Sequence, residues 1–256
     1  MAALALAGVV VERNVLTYRR QWVAFLTGFL EPVFYLFSLG IGLGALIGDV
    51  TLANGQTVTY AQFMAPAMLA MSAMNGAVFD ATYNMFFKLK YMHTFDAMLA
   101  TPVGPRDIAI GEMLWSLMRA GCYVVGFLVI SVAMGLTTSW WAVLALPAAT
   151  LIGFVFSAVG MAATTWIRNF QDFDYIQMAL VPLTLLSGTF FPVDTYPGAL
   201  RWLVELSPLY HGVVIERALC LGDVSWSLLG NVAVLLAMGA VGLAVTRRRL
   251  AALLLK

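Results

Sequence analysis

Three ionisable residues sit inside stretches of sequence that are otherwise apolar. Glu31 stands beside Pro32 in the first such stretch, Asp80 near the end of the second, and Arg119 about eleven residues into the third, which is ~16 Å along a helix. A charge at mid-bilayer costs roughly 2.5–3.5 kcal/mol on insertion scales, so such residues face protein or water and pair. One cation and two carboxylates can do two things. They can line a polar route for a solute, or they can make an ion pair, Arg119 with Glu31 or Asp80, that fixes how helices pack. Glu112, closer to the start of its stretch, reads as a solvated carboxylate favoured by the positive end of a helix.

Other chemistry is poorly supported. The chain has no GxxxxGK[ST] phosphate-binding loop and no HExxH, so nothing in it hydrolyses ATP or binds zinc in the familiar ways. His93 and His211 fall in segments placed on opposite sides of a membrane. Ser187 precedes Gly188, but Leu185 stands where a GxSG nucleophile motif needs glycine. His93 and Asp96 are one helical turn apart and read as a solvated face. Cys122 and Cys220 have no metal-site spacing and no geometry for a bridge. The expectation is no catalytic residue, no bound cofactor and no metal.

The elements that position these residues are membrane helices. Of 256 residues, 62% are hydrophobic and 11% charged, against ~25% charged in soluble domains. A span takes ~20 apolar residues. Six are predicted, at 23–47, 60–84, 108–134, 141–166, 174–191 and 226–246, in one all-α polytopic domain over 1–256 without internal repeat. A net charge of +1 gives no reason to expect nucleic acid. With the N-terminus inside, eleven of the 14 Lys and Arg lie on inner segments: Arg13, Arg19, Arg20, Lys88, Lys90, Arg106, Arg168, Arg247, Arg248, Arg249 and Lys256. Only Arg201 and Arg217 lie outside. This bias places both termini in the cytoplasm. The apolar start lacks a preceding basic region, so it is not read as a signal peptide.

Three shorter features complete the layout. Residues 4–22 are predicted to form an interfacial helix, with Leu4, Gly8, Val11, Val15 and Trp22 on the apolar side. Gly40, Gly44 and Gly48 repeat every four residues and suit a close helix–helix contact. The outer stretch 188–225 is half apolar and broken by Pro192, Pro197 and Pro208. It suits re-entrant or interfacial helices, which must be buried in protein or line a cavity.

The segment "KLKYMHTFDAMLATPVGPRDIAIGEM" (88–113) is a charged island between two spans, on the cytoplasmic side. Residues 91–100 predict a short helix, closed by Pro102 and Pro105. Met92, Phe95 and Leu99 make an apolar stripe, with Lys88, Lys90 and Arg106 at its flanks. Such a helix suits docking into a groove on a partner, or it rests on the bilayer surface.

Four features carry a family resemblance. "LEPVFYLFSLGIGLG" (30–44), "TFDAMLATPVGPRDIAIGEMLWS" (94–116), "LTLLSGTFFPVDTYPGALRWLVELSPLYHGVVIERAL" (183–219) and the spacing of the six spans resemble the membrane subunits of type-2 ABC transporters. The nearest likeness is to lipo-oligosaccharide (nodulation-factor) and daunorubicin-type drug exporter permeases. The resemblance implies an exporter in the cytoplasmic membrane of a prokaryote. It pairs the permease with a second copy or a sister permease, and with two copies of a separate ATPase that carries ATP and Mg. It implies a coupling helix on that ATPase around Tyr91, Met92, Phe95, Asp96, Leu99, Pro102 and Arg106. The outer helices would cap the pathway, and the first and fifth spans would line the seam between protomers. The short N-terminal tail points to a lipid-like or drug-like substrate rather than a long glycan. The competing reading is an ion-coupled secondary transporter using Glu31, Asp80 and Arg119, although such proteins show repeats or broken midplane helices.

Overall fold

A computed structural model describes residues 2–19, 30–52 and 54–254. The side chain of Leu4, residues Arg20 and Trp22, the first part of the first predicted span and Lys256 lie outside what is described. Helices dominate. In chain order they are α1 (Ala2–Tyr18), α2 (Leu30–Ile47), α3 (Tyr60–Phe79), α4 (Met85–Lys90), α5 (Thr94–Leu99), α6 (Pro105–Ala133), α7 (Ala145–Thr164), α8 (Phe173–Leu185), α9 (Gly198–Leu206), α10 (Pro208–Leu221) and α11 (Leu228–Leu254). The all-α expectation needs one amendment. A two-stranded antiparallel hairpin, β1 (Asp49–Thr51) and β2 (Thr57–Thr59), joins α2 to α3 with Val50 opposite Val58.

Among the described residues four helices are long and apolar enough to cross a membrane: 30–47, 105–133, 140–164 and 228–254. The protein is therefore a membrane protein with several apolar helices. The second predicted span takes a different form. α3 is buried on nearly every face by α2, α6, α7 and α10, and its core is built from Phe63, Met64, Met68, Met71 and Met74. A helix hydrophobic all round belongs inside a bundle, and unbranched methionines fill its irregular gaps. Thr59 starts it with a capping box, accepting from Gln62 N at 3.3 Å while Thr59 N donates to Gln62 Oε1 at 3.1 Å. Past Phe79 it continues through a π turn (Asp80–Asn84) into α4, six residues beyond the predicted end. The fifth predicted span holds a 13-residue helix, α8, followed by turns.

The outer stretch is divided where its prolines stand. Pro192 precedes a 3-10 turn at Val193–Thr195, Pro197 precedes α9, and Pro208 opens α10. Proline is tolerated at these positions because the first turn of a helix has no partner for its N–H. α10 packs against α3, α7 and α11. α1 is not a free surface helix. Ala7, Val10 and Asn14 are buried, and α1 lies on α6. The approach is close at Gly111, where a Cβ would stand 2.6 Å from Val10 Cβ and 2.9 Å from the Ala7 carbonyl oxygen. The predicted stripe of Gly8, Val11 and Val15 lies beside this face; Gly8 and Val15 are exposed.

Candidate functional site

The polar groups form a ladder between α1, α4 and α6. On the lower rung, Lys88 Nζ donates to Glu112 Oε2 at 2.6 Å and to Asn14 Oδ1 at 3.0 Å. Asn14 Nδ2 closes the ring by donating to Glu112 Oε1 at 3.2 Å. All three side chains are buried. The reading of Glu112 as solvated is therefore corrected, as is that of Lys88 as a flanking surface charge. α1 covers this seam and supplies an amide that satisfies both partners, so neither charge meets water. Nothing in the spacing of residues 14, 88 and 112 signals their convergence; it follows from the packing of three helices.

The upper rung is one of the two pairings the sequence left open for Arg119, that with Asp80. Arg119 Nη1 donates to Asp80 Oδ1 at 3.1 Å, and Arg119 Nε to the Tyr123 hydroxyl at 2.9 Å. The guanidinium lies over Phe79, 4.9 Å from the ring centroid, with Tyr18 and Tyr123 at 5.7 and 5.6 Å. The π turn starts at Asp80. Within it, Asn84 donates to the same carboxylate oxygen. Extra residues of this kind inside helices often mark functional positions. Both members of the ion pair are almost fully enclosed. Such a pair needs further hydrogen bonds to offset desolvation; Asn84 and Tyr123 supply them at Asp80 Oδ1 and Arg119 Nε, while Asp80 Oδ2 is buried without a hydrogen-bond partner among the described residues.

Glu31 does not join this pair. Its carboxylate accepts one long hydrogen bond, from Asn75 Nδ2 at 3.4 Å, and it stands on the wall of a cavity of about 880 Å³. α2, α3, α6, α8 and the loop after α8 enclose this space. Arg119, Asn75 and Gln177 share its more polar half with Glu31, while Leu39, Leu43, Leu185 and Phe190 line the rest. The volume is in the range of small-molecule sites. A second, largely apolar cavity of about 660 Å³ lies between α3, α7 and α8.

The charged island at 88–113 folds as expected in part. Its helix is α5, set at an angle to α4 by His93, whose φ of +48° is unusual for a side-chain-bearing residue. Tyr91, Met92, Asp96, Pro102 and Arg106 are exposed, Met92 to 67%. Phe95 is 1% exposed, which corrects its reading as the centre of an exposed stripe. It belongs to a buried apolar cluster with Val10, Met85, Ile108, Met161 and Leu250, against which Leu99 packs partly buried. The physical reason is that the stripe of a six-residue helix faces the nearest apolar surface, here its own bundle. Phe95 is the anchor that holds the exposed residues still.

Gly40 packs against Ala61 and Gly44 against Tyr60, both on this chain's own α3. Gly48 has nothing within 4 Å of a Cβ and a φ of +75°, so it ends α2 rather than packing it. The sequence reading passed over the closest crossings. A Cβ added at Gly76 would stand 3.0 Å or less from Tyr123 and Ala120 of α6, and one at Gly239 or Gly242 as close to Phe154 or Ala158 of α7. They stand alone or paired without the four-residue repeat that flags such contacts. Arg217, placed in an outer loop, is a clamp. It stacks 3.8 Å from the Phe63 ring centroid and donates to the carbonyls of Phe63 and Gly188 at 3.3 and 2.9 Å. Ser187 bonds to Thr189 Oγ1 at 2.6 Å and His211 to Asn231 at 2.7 Å, so the two do not form a nucleophile–base pair.

Comparison with known proteins adds the family. The model described as ABC-2 type transporter matches residues 6–221. "Nodulation protein J" of Rhizobium leguminosarum bv. viciae is 35% identical over 215 residues, covering 83% of this chain and 81% of its own length. The protein of that name from Rhizobium meliloti is 33% identical over 215 residues, covering 83% and 80%. "Inner membrane transport permease YadH" of Escherichia coli is 25% identical over 199 residues, covering 76% and 74%.

Proposed function

The chain belongs to the ABC-2 type transporter family, and from that premise we propose that it is the membrane subunit of an ATP-driven exporter. It moves a lipid-like, glycolipid or drug-like molecule out of the cell. The subunit spans the cytoplasmic membrane six times with both termini inside. It has no phosphate-binding loop, so energy comes from two copies of a separate ABC ATPase, which hold ATP and Mg. A second permease copy, identical or a sister, meets it along α2 and α8. The exposed apolar residues Phe34, Phe37, Tyr175 and Met178 of those helices support that face.

One observation carries this reading. The elbow between α4 and α5 leaves Tyr91, Met92 and Asp96 exposed while Phe95 is locked into the bundle. An ATPase gripping the exposed face would therefore move the seam of α1, α4 and α6 as one body. The 880 Å³ cavity on the far side of Arg119 is the substrate route, capped by α9 and α10.

The test is co-purification of the cognate ATPase, with hydrolysis measured in proteoliposomes. Truncating interface anchors costs about 1–2 kcal/mol or more each. Tyr91→Ala with Met92→Ala should cut co-purification and stimulated hydrolysis at least tenfold while the permease still folds. Phe95→Ala should instead lower folded yield. Full coupling in the double variant would remove the elbow from the mechanism. The ion-coupled alternative predicts transport that follows an ion gradient in the absence of any ATPase.

A further inference from the structure

Glu31 is the one carboxylate on the wall of the large cavity among the described residues. The other charge there, Arg119, is compensated by Asp80 at 3.1 Å and shielded by Phe79. Among the described residues Glu31 has only the 3.4 Å contact from Asn75, which leaves most of its acceptor capacity unused there. Among the described residues the lining thus carries one carboxylate without a cationic partner, beside the amides of Asn75 and Gln177 and mostly apolar and aromatic side chains.

The lining is also graded along the helices. Glu31 and Gln177 come early in α2 and α8, Leu43 and Leu185 late, so the charged and amide groups collect at the end nearer the 88–113 segment, while the hydroxyls of Tyr60, Thr184 and Tyr196 at the other end are bonded to backbone carbonyls. A neutral polar head placed there would desolvate Glu31 and leave its charge in place. A cation would neutralise it, and the ring of Tyr35, one turn further along α2 on the same lining, gives that cation an aromatic face. Leu39, Leu43 and Phe190 then receive an apolar tail.

We propose that Glu31 is a specificity-determining residue for a cationic amphiphile, binding an amine head at the cytoplasmic half of the cavity with the tail toward the hairpin end. This rests on the reading of the cavity as the substrate route.

The experiment uses the permease–ATPase complex in nanodiscs of neutral lipid. Two fluorescent probes are titrated, a dansyl-labelled dodecylamine and its N-acetylated neutral counterpart, with empty nanodiscs subtracted. The amine should bind about tenfold tighter than the amide, the size of a charge-assisted hydrogen bond. Glu31→Gln should abolish that preference and Glu31→Asp should keep part of it. Should Glu31→Gln fail to fold, Asn75→Asp, which adds a second carboxylate beside Glu31, should strengthen the preference. Equal binding of the two probes by the unsubstituted complex overturns the inference. So does a preference that survives Glu31→Gln, or one that Asn75→Asp leaves unchanged. In sealed proteoliposomes of the same complex, ATP-driven movement of both probes without amine preference keeps the exporter reading and overturns this one. An amine preference without ATP-driven movement supports this one and overturns the exporter reading.

Discussion

Lys88 and Glu112 show how much a single buried contact can matter in this bundle. Each is enclosed, and each is the other's partner at 2.6 Å, with Asn14 completing the ring. Removing one partner of such a pair strands a charge, at about 3–5 kcal/mol, whereas replacing both with apolar residues is often close to neutral. Lys88→Met should therefore lower thermal stability and folded yield sharply. Lys88→Met with Glu112→Leu should recover most of the loss, as read by size-exclusion profiles and melting in detergent. An additive double variant would mean that the contact does not govern stability. The sequence announced Arg119 and Asp80 because their burial in an apolar run is costly by itself. It did not announce Lys88, which sits at the end of a run where a lysine can equally reach water.

At the scale of elements, helix existence was readable and helix orientation was not. Apolar length and the placement of proline located α2, α6, α7 and α11, and divided the outer stretch at Pro192, Pro197 and Pro208. What α1 does was not readable, because its buried face, Ala7, Val10 and Asn14, is no more apolar than its neighbours. The face is chosen by Gly111 on α6, the small residue that lets the backbones meet. Overpacking costs typically 1–3 kcal/mol, and here the Ala7 carbonyl would be struck as well. Gly111→Leu should displace α1, open the ring around Lys88 and lower the melting temperature. Gly121→Leu, on the same helix with nothing within 4 Å of a Cβ, should do little. Equal effects of the two would show that α1 is not held at Gly111. The same logic explains Phe95: a periodic stripe fixes which residues share a face, while the choice between partner and own bundle depends on what lies alongside.

For the whole molecule, the cytoplasmic island joins two functions that the sequence could state only separately. Its exposed face is the interface we propose for the ATPase, and its buried face is part of the bundle core. The central claim is that the power source docks on that exposed face. The most direct measurement places a photo-crosslinking amino acid at Met92, 67% exposed at the elbow, and in a separate variant at Trp226, 87% exposed in the turn after α10. Both are irradiated in membranes that contain the cognate ATPase. The account predicts a permease–ATPase adduct from position 92 and none from position 226. An adduct from position 226, or none from position 92 in a complex that still co-purifies, would contradict it.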